Sequence, residues 1–216
     1  MSGSRGPLRF PPGRAGRLWL RRRLEIARRG LDLLDRKLRI LRREQERLAL
    51  LVQRTGDDWQ RACGDAETWL LRATLLGGQR ALRLAGDGPA AEVTVVWAET
   101  MGIRYPGQAT DAPPADHAPL GPRSAALGQA ASAHRAALAA ALRHAAATTA
   151  ARIVDEEVAA TRQRLRAIQD RWIPRLQTAL AGVELSLDEQ ERADGVRLRR
   201  AGARLAEREA AAGRRR

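Results

Sequence analysis

The sequence predicts an all-α chain, a long antiparallel two-helix coiled-coil hairpin with a small irregular or β-hairpin middle section. Apolar side chains recur in alternating steps of three and four near both ends of the chain, the period of a helix that packs against another helix. Glycine and proline concentrate between those two stretches, where the periodicity lapses. The 216 residues are 30% charged and include one Phe, one Tyr and five Trp. That leaves few bulky groups for a compact globular core, and abundant Ala, Leu, Arg and Glu is the composition of long helices. Two long helices joined by a compact middle section pair only antiparallel.

The elements follow in chain order. Residues 1–16 are rich in Gly, Pro and Arg and read as a flexible N-terminal segment without the apolar core of a signal peptide. A coiled-coil helix is expected over 17–76. Its seam is Leu24, Ala27, Leu31, Leu34, Leu38, Leu41, Gln45, Leu48 and Val52, flanked by dense charge. The same phase continues less cleanly through Thr55, Trp59, Ala62, Ala66, Trp69, Ala73 and Leu76, and Gly77-Gly78 marks the stop. The middle section spans 77–123. Within it the β-branched run Glu92–Trp97 can pair with Ile103–Tyr105, and 107–123 reads as a Pro-rich loop. A second helix is expected over 124–212, Ala-rich at first. Its later seam is Val154, Val158, Thr161, Leu165, Ile168 and Trp172, resuming one residue late at Leu176, Leu180, Val183 and Leu187. An extra residue in a heptad pattern locally unwinds a supercoil, and Pro174 removes a helix hydrogen bond, so a gentle bend is expected near 174. Residues 213–216 form a basic tail.

The charge excludes little by itself. Net charge is +14, and 38 of the 39 basic residues are Arg, Lys37 being the only lysine; there is no Asn. This bias looks like GC-rich coding, while the sign of the charge predicts an acidic partner surface or a polyanion. Catalytic chemistry has no foothold. The single Cys63 rules out an internal disulfide or multi-thiolate site, and it reads as packing beside Trp59. His117, His134 and His144 lack ligand spacing, and no phosphate-binding glycine loop or nucleophile elbow is present. The carboxylate runs Asp155-Glu156-Glu157 and Asp188-Glu189 with Glu191 read as solvated helix faces. No catalytic, cofactor or metal residue is assigned. No apolar run approaches the ~20 residues of a membrane span, so a soluble intracellular protein is expected.

Several segments carry a resemblance. Pro12 and Arg14 precede a basic run at Arg21-Arg22-Arg23, an Ala-x-x-Gly step at Ala27 and Gly30, and a Leu-Leu-x-x-Lys step at Leu33-Leu34 and Lys37. Near the other end come Arg164, Ala167 and Ile168, then Ile173-Pro174-Arg175-Leu176, then Leu187-Asp188-Glu189-x-Glu191-Arg192 and Arg197-Leu198-Arg199. Met101-Gly102-Ile103 with Pro106 supplies a Met-Gly-hydrophobic element before a proline. In this order the pieces resemble the D subunit of the V-type and archaeal-type rotary ATPases, over roughly 11–55, 90–107 and 160–200. Arg166 departs from the family, which usually has Asn there, and 107–123 is unlike it.

The resemblance implies a non-catalytic central rotor shaft coupling rotation, driven by proton or sodium flow, to ATP synthesis or hydrolysis in a catalytic hexamer. It implies as partners the catalytic and non-catalytic hexamer subunits, the small central-stalk F subunit, and the funnel-shaped C/d subunit above the membrane rotor ring. No cofactor, nucleic acid or direct membrane insertion is implied, and the location is cytoplasmic, peripheral to the membrane through the complex. Residues 14–54 hold 14 basic and 5 acidic residues, a surface able to run against acidic bearing loops by poorly directional attraction. Candidate hexamer-facing residues are Arg14, Arg21, Arg22, Arg23, Arg28, Arg29, Arg197, Arg199 and Arg200. The candidate stalk-partner region is Val93, Val95, Met101, Gly102 and Ile103, in the expected β-hairpin. The seam residues hold the two helices together. A basic coiled coil that binds nucleic acid, or a helical scaffold, is the alternative; against the first, aromatic residues are not interleaved with the Arg runs and the arginines lie all around the helix.

Overall fold

The computed structural model describes residues 8–85, 91–112 and 124–213. The order of elements is α1 (Gly13–Ala85), β1 (Glu92–Thr100), β2 (Ile103–Ala112), α2 (Ala125–Arg166), a π-helical segment (Ala167–Trp172) and α3 (Ile173–Gly213). The fold is the expected helical hairpin with a small antiparallel sheet in the middle. Residues 1–7, 86–90, 113–123 and 214–216 lie outside the described residues. They include most of the expected Pro-rich loop, His117 and the three arginines of the tail. The chain divides into two compact units. The terminal unit joins residues up to Asp35 with those from Gln163 onward, and the central unit is Arg36–Arg162.

In the terminal unit Leu20, Leu24, Ala27 and Leu176 are buried together, with Leu8, Phe10, Ile168, Trp172, Leu180 and Val183 packed around them. The helix begins at Gly13, earlier than residue 17, because Leu8–Pro12 is not a loose lead-in. Its Leu8 and Phe10 pack on the seam, and the backbone lies so close to α1 that a Cβ at Gly16 would run into the Pro11 carbonyl oxygen. Only glycine fits there.

The one-residue delay in the C-terminal seam is met by a π-helix. The N–H of Ile173 donates to the carbonyl of Ile168, five residues back, and closes the segment Ala167–Trp172. A π turn holds one more residue than an α turn. The extra residue is thus absorbed, and Trp172 and Leu176 remain on the inner face, half-buried and fully buried respectively. Pro174 follows directly. Its missing N–H and its ring disfavour an α turn over residues 170–174, so the widened turn sits where proline resists the regular one. The expected local unwinding takes this form, and the second helix is three helical pieces rather than one.

In the central unit α1 supplies Leu38, Leu41 and Leu48, while α2 supplies mainly alanine, with Ala126, Ala130, Ala137, Ala140, Ala147 and Ala150 buried. The expected seam thins here. Trp59 and Leu76 are 39% and 76% exposed, because an alanine surface offers no depth for large side chains. Trp59 stacks instead on His144, with ring centroids 5.5 Å apart. Helical residues continue past the expected stop to Ala85, but Gly78 interrupts them with φ 68° and ψ 167°, a conformation open to glycine. Ser124 caps α2, its hydroxyl accepting from the N–H of Leu127 at 3.2 Å.

The strands are longer than expected. β1 pairs antiparallel with β2 from Glu92↔Ala112 to Thr100↔Ile103, so Gly107–Ala112 is strand and not loop. Trp97 faces Pro106 and Val96 faces Gln108, which makes Gly107 the inserted residue of a bulge. The proline stands beside that interruption of the ladder, where strands tolerate it. The turn is two residues, Met101 and Gly102, both with positive φ (53° and 79°), the handedness that suits a tight hairpin.

Candidate functional site

Among the described residues no group of three or more His, Cys, Asp or Glu could hold a metal ion, and no helix is long and apolar enough to cross a membrane. What the chain offers is surface. Of the nine candidate basic residues, two join the helices of the terminal unit: Arg14 donates to Glu191 at 3.1 Å and Arg21 to Glu184 at 2.6 Å. Two pair along their own helix, Arg29 with Glu25 and Arg197 with Asp194. Arg23 lies over the Trp19 ring, 5.9 Å from its centroid. Arg22, Arg28, Arg199 and Arg200 are exposed.

Beyond Glu191 the character of α3 changes. Residues 192–207 are exposed apart from a half-buried Gly195, and Leu198 and Leu205 are open to solvent. The Arg14–Glu191 pair, near the start of α1, ties α3 to that helix just before this change. Residues 192–207 of α3 are therefore a bare helix, with arginines and scattered leucines on its surface.

The second surface is the β-hairpin. Val93 and Val95 are exposed on β1, Met101 and Gly102 are exposed at the turn, and Ile103 is half-buried. Val96 and Trp97 are also exposed, with the Arg104 guanidinium 5.8 Å from the Trp97 ring centroid. β2 is the strand held inward, with Tyr105, Pro106 and Ala109 buried. Met101 adopts a left-handed backbone that side chains disfavour.

Three polar links across the helices were not legible as such in the sequence. Lys37, the sole lysine, donates to Glu157 at 2.9 Å with both side chains about three-quarters buried. Thr161, fully buried, also donates to Glu157 at 3.4 Å. Gln45 donates to Asp155 at 2.8 Å, and the Thr55 hydroxyl lies 3.2 Å from Nδ1 of His144. Two members of the run read as a solvated carboxylate face, Asp155 and Glu157, thus serve helix pairing. The available signals were the unique lysine and the polar Gln45 within an apolar seam.

The fold thus offers two exposed surfaces, a terminal helical stretch and the outer strand of a β-hairpin. The profile of the family of ATP synthase D subunits matches residues 18–203. The chain is also 32% identical over 214 residues to the V-type ATP synthase D subunit of Anaeromyxobacter sp. (strain Fw109-5), a match that covers 94% of this chain and 98% of that protein. The chain belongs to the ATP synthase D-subunit family. Its role is that of a central-stalk rotor subunit, non-catalytic by family.

Proposed function

We propose that the terminal unit is the part of the shaft that enters the central cavity of the hexamer of catalytic and non-catalytic subunits. The bare stretch of α3 beyond Glu191 is the observation that carries this reading. A helix with solvent on all sides, arginine-rich and lightly apolar, suits a cavity lined by several different subunits better than one fixed partner. Arg22, Arg28, Arg199 and Arg200 then face the hexamer, whereas Arg14 and Arg21 hold α1 to α3. Val93, Val95, Met101, Gly102 and Ile103 meet the small central-stalk F subunit, and the complex is completed by the funnel-shaped C/d subunit above the membrane ring. The protein is cytoplasmic and reaches the membrane only through this complex.

The mechanism is mechanical. A shaft biases a nucleotide site only if it touches that site's open and closed states unequally. Two helices of different surface, one basic along residues 14–54 and the other continuing alone past Glu191, present a different face to each interface around the hexamer. Turning the shaft then passes each interface through the states in sequence and couples proton or sodium flow to ATP synthesis or hydrolysis.

Deleting Leu187 onward tests this in the reconstituted complex. The expected outcome is ATP hydrolysis without ion pumping, while removal of Gly213–Arg216 alone leaves pumping intact. Normal ATP-driven pumping by the longer deletion would contradict the shaft reading.

A further inference from the structure

A two-stranded hairpin is marginal in water unless something holds it. Here β1 is largely exposed, so the holding falls to β2, and there the apolar contact is incomplete. A groove of about 410 Å³ remains beside Trp97, Tyr105 and Gly107 on the hairpin, Leu48 and Leu51 on α1, and Ala147 on α2.

A polar chain beside this groove joins the hairpin to α1. Tyr105, the only tyrosine, is 4% exposed, and its hydroxyl donates to Oε1 of Glu44 on α1 at 2.7 Å. The Thr100 hydroxyl, 2.9 Å away, donates in turn to the Tyr105 oxygen. Thr100 and Ile103 form the last pair before the turn, so this link reaches the tip. Glu44 is already oriented from its own helix by Arg47, whose Nε lies 3.0 and 3.1 Å from the two carboxylate oxygens and whose Nη2 lies 2.6 Å from Oε1. A preoriented carboxylate makes a stronger acceptor than a neutral group, and a buried phenol that loses its acceptor is left at a cost.

We propose that Tyr105 and Glu44 are positioning residues that latch the β-hairpin to α1 and hold its tip, Met101–Gly102, and the exposed β1 residues as a fixed docking projection for the small stalk subunit. The proposal rests on the reading that the hairpin meets that subunit. The strained backbone at Met101 fits it, since a free turn has no use for methionine in that conformation, whereas a contact does. The Arg47 guanidinium holds the Glu44 carboxyl below the usual carboxylate range, burial opposes this, and the Tyr105 hydroxyl reinforces it. A depressed carboxyl contributes its stabilisation above its ordinary value of 4.5 and loses it as pH falls below that.

The test uses the full chain. Hydrogen exchange of the β1 and β2 amides is compared in the wild type, Tyr105→Phe and Glu44→Gln, alongside affinity for the purified small stalk subunit. In Tyr105→Phe the hairpin amides are expected to lose protection roughly tenfold, with α1 and α2 unchanged, and affinity falls by a similar factor. The part of the hairpin's protection that the Glu44 carboxylate supplies is expected to weaken as pH falls below its ordinary value of 4.5, and in Glu44→Gln, which keeps an acceptor for the phenol, that pH dependence disappears. Unchanged protection in Tyr105→Phe overturns the latch. Val95→Asp, on the exposed strand, separates the two ideas. If it leaves affinity intact, the hairpin is not the partner surface and the docking role falls with that reading. If it weakens binding while a loosened Tyr105→Phe hairpin binds normally, the positioning role alone is overturned.

Discussion

The terminal and central units share one helical period and meet its demand in different ways. The terminal unit fills its seam with volume, setting Leu20, Leu24 and Leu176 against Ile168, Trp172 and Leu180. The central unit buries Leu38, Leu41 and Leu48 on one helix and, on the other, Val154 and Val158 with a long row of alanines. It then adds the bonds Lys37–Glu157 and Gln45–Asp155 and the Thr55–His144 contact. Alanine lets backbones approach closely but buries little apolar area, at roughly 25 cal/mol per Å², and the Lys37–Glu157 pair there is far more buried than the Arg14–Glu191 and Arg21–Glu184 pairs of the terminal unit. A hydrophobic period therefore announces a helix pair without saying whether large side chains or close approach holds it.

Three substitutions break or sharpen that contrast. The largest effect is expected from Leu176→Ala in the terminal unit, where a fully buried side chain leaves a cavity and stability drops by about 2–5 kcal/mol. Denaturant unfolding of the full chain measures it, and a loss well below that range would mean this seam is not volume-packed. In the central unit the sensitive direction is reversed. Ala150→Leu, at a site 1% exposed, should cost about 1–3 kcal/mol by overpacking, and a neutral result would remove the case for close approach. The smallest effect is Lys37→Met. It keeps the stem and deletes the ammonium from a pair with about a quarter of each side chain exposed, so a loss of about 1 kcal/mol is expected after solvent screening. Thermal melts at low and high salt check it, since the difference from wild type should shrink as salt rises.

The helices were legible because their period is long and regular, and even the π segment was visible as a seam running one residue late. Its form was not, since a heptad count registers an extra residue without showing how the backbone absorbs it. The strand Gly107–Ala112 was hidden by Pro106, which reads as a loop until a bulge beside it removes the conflict. The polar links were the least legible. Pattern reading assigns charges outside the seam to solvent, and only pairing brings Glu157 to Lys37 or Glu44 to Tyr105. Among the basic residues, spacing could not separate Arg14 and Arg21, which pair with the other helix, from Arg22 and Arg28, which are exposed.

The widened turn at Ala167–Trp172 also bears on how the length of this chain can change. Removing one residue there, Gln169 for instance, would let an ordinary α turn carry the same apolar residues onto the same side, with Trp172 three steps after Ile168 and Leu176 four steps further. The same loss in α2 would rotate every later residue by about 100° and take the seam off its partner. The π segment is thus a joint at which the helix can lose a single residue and keep its seam.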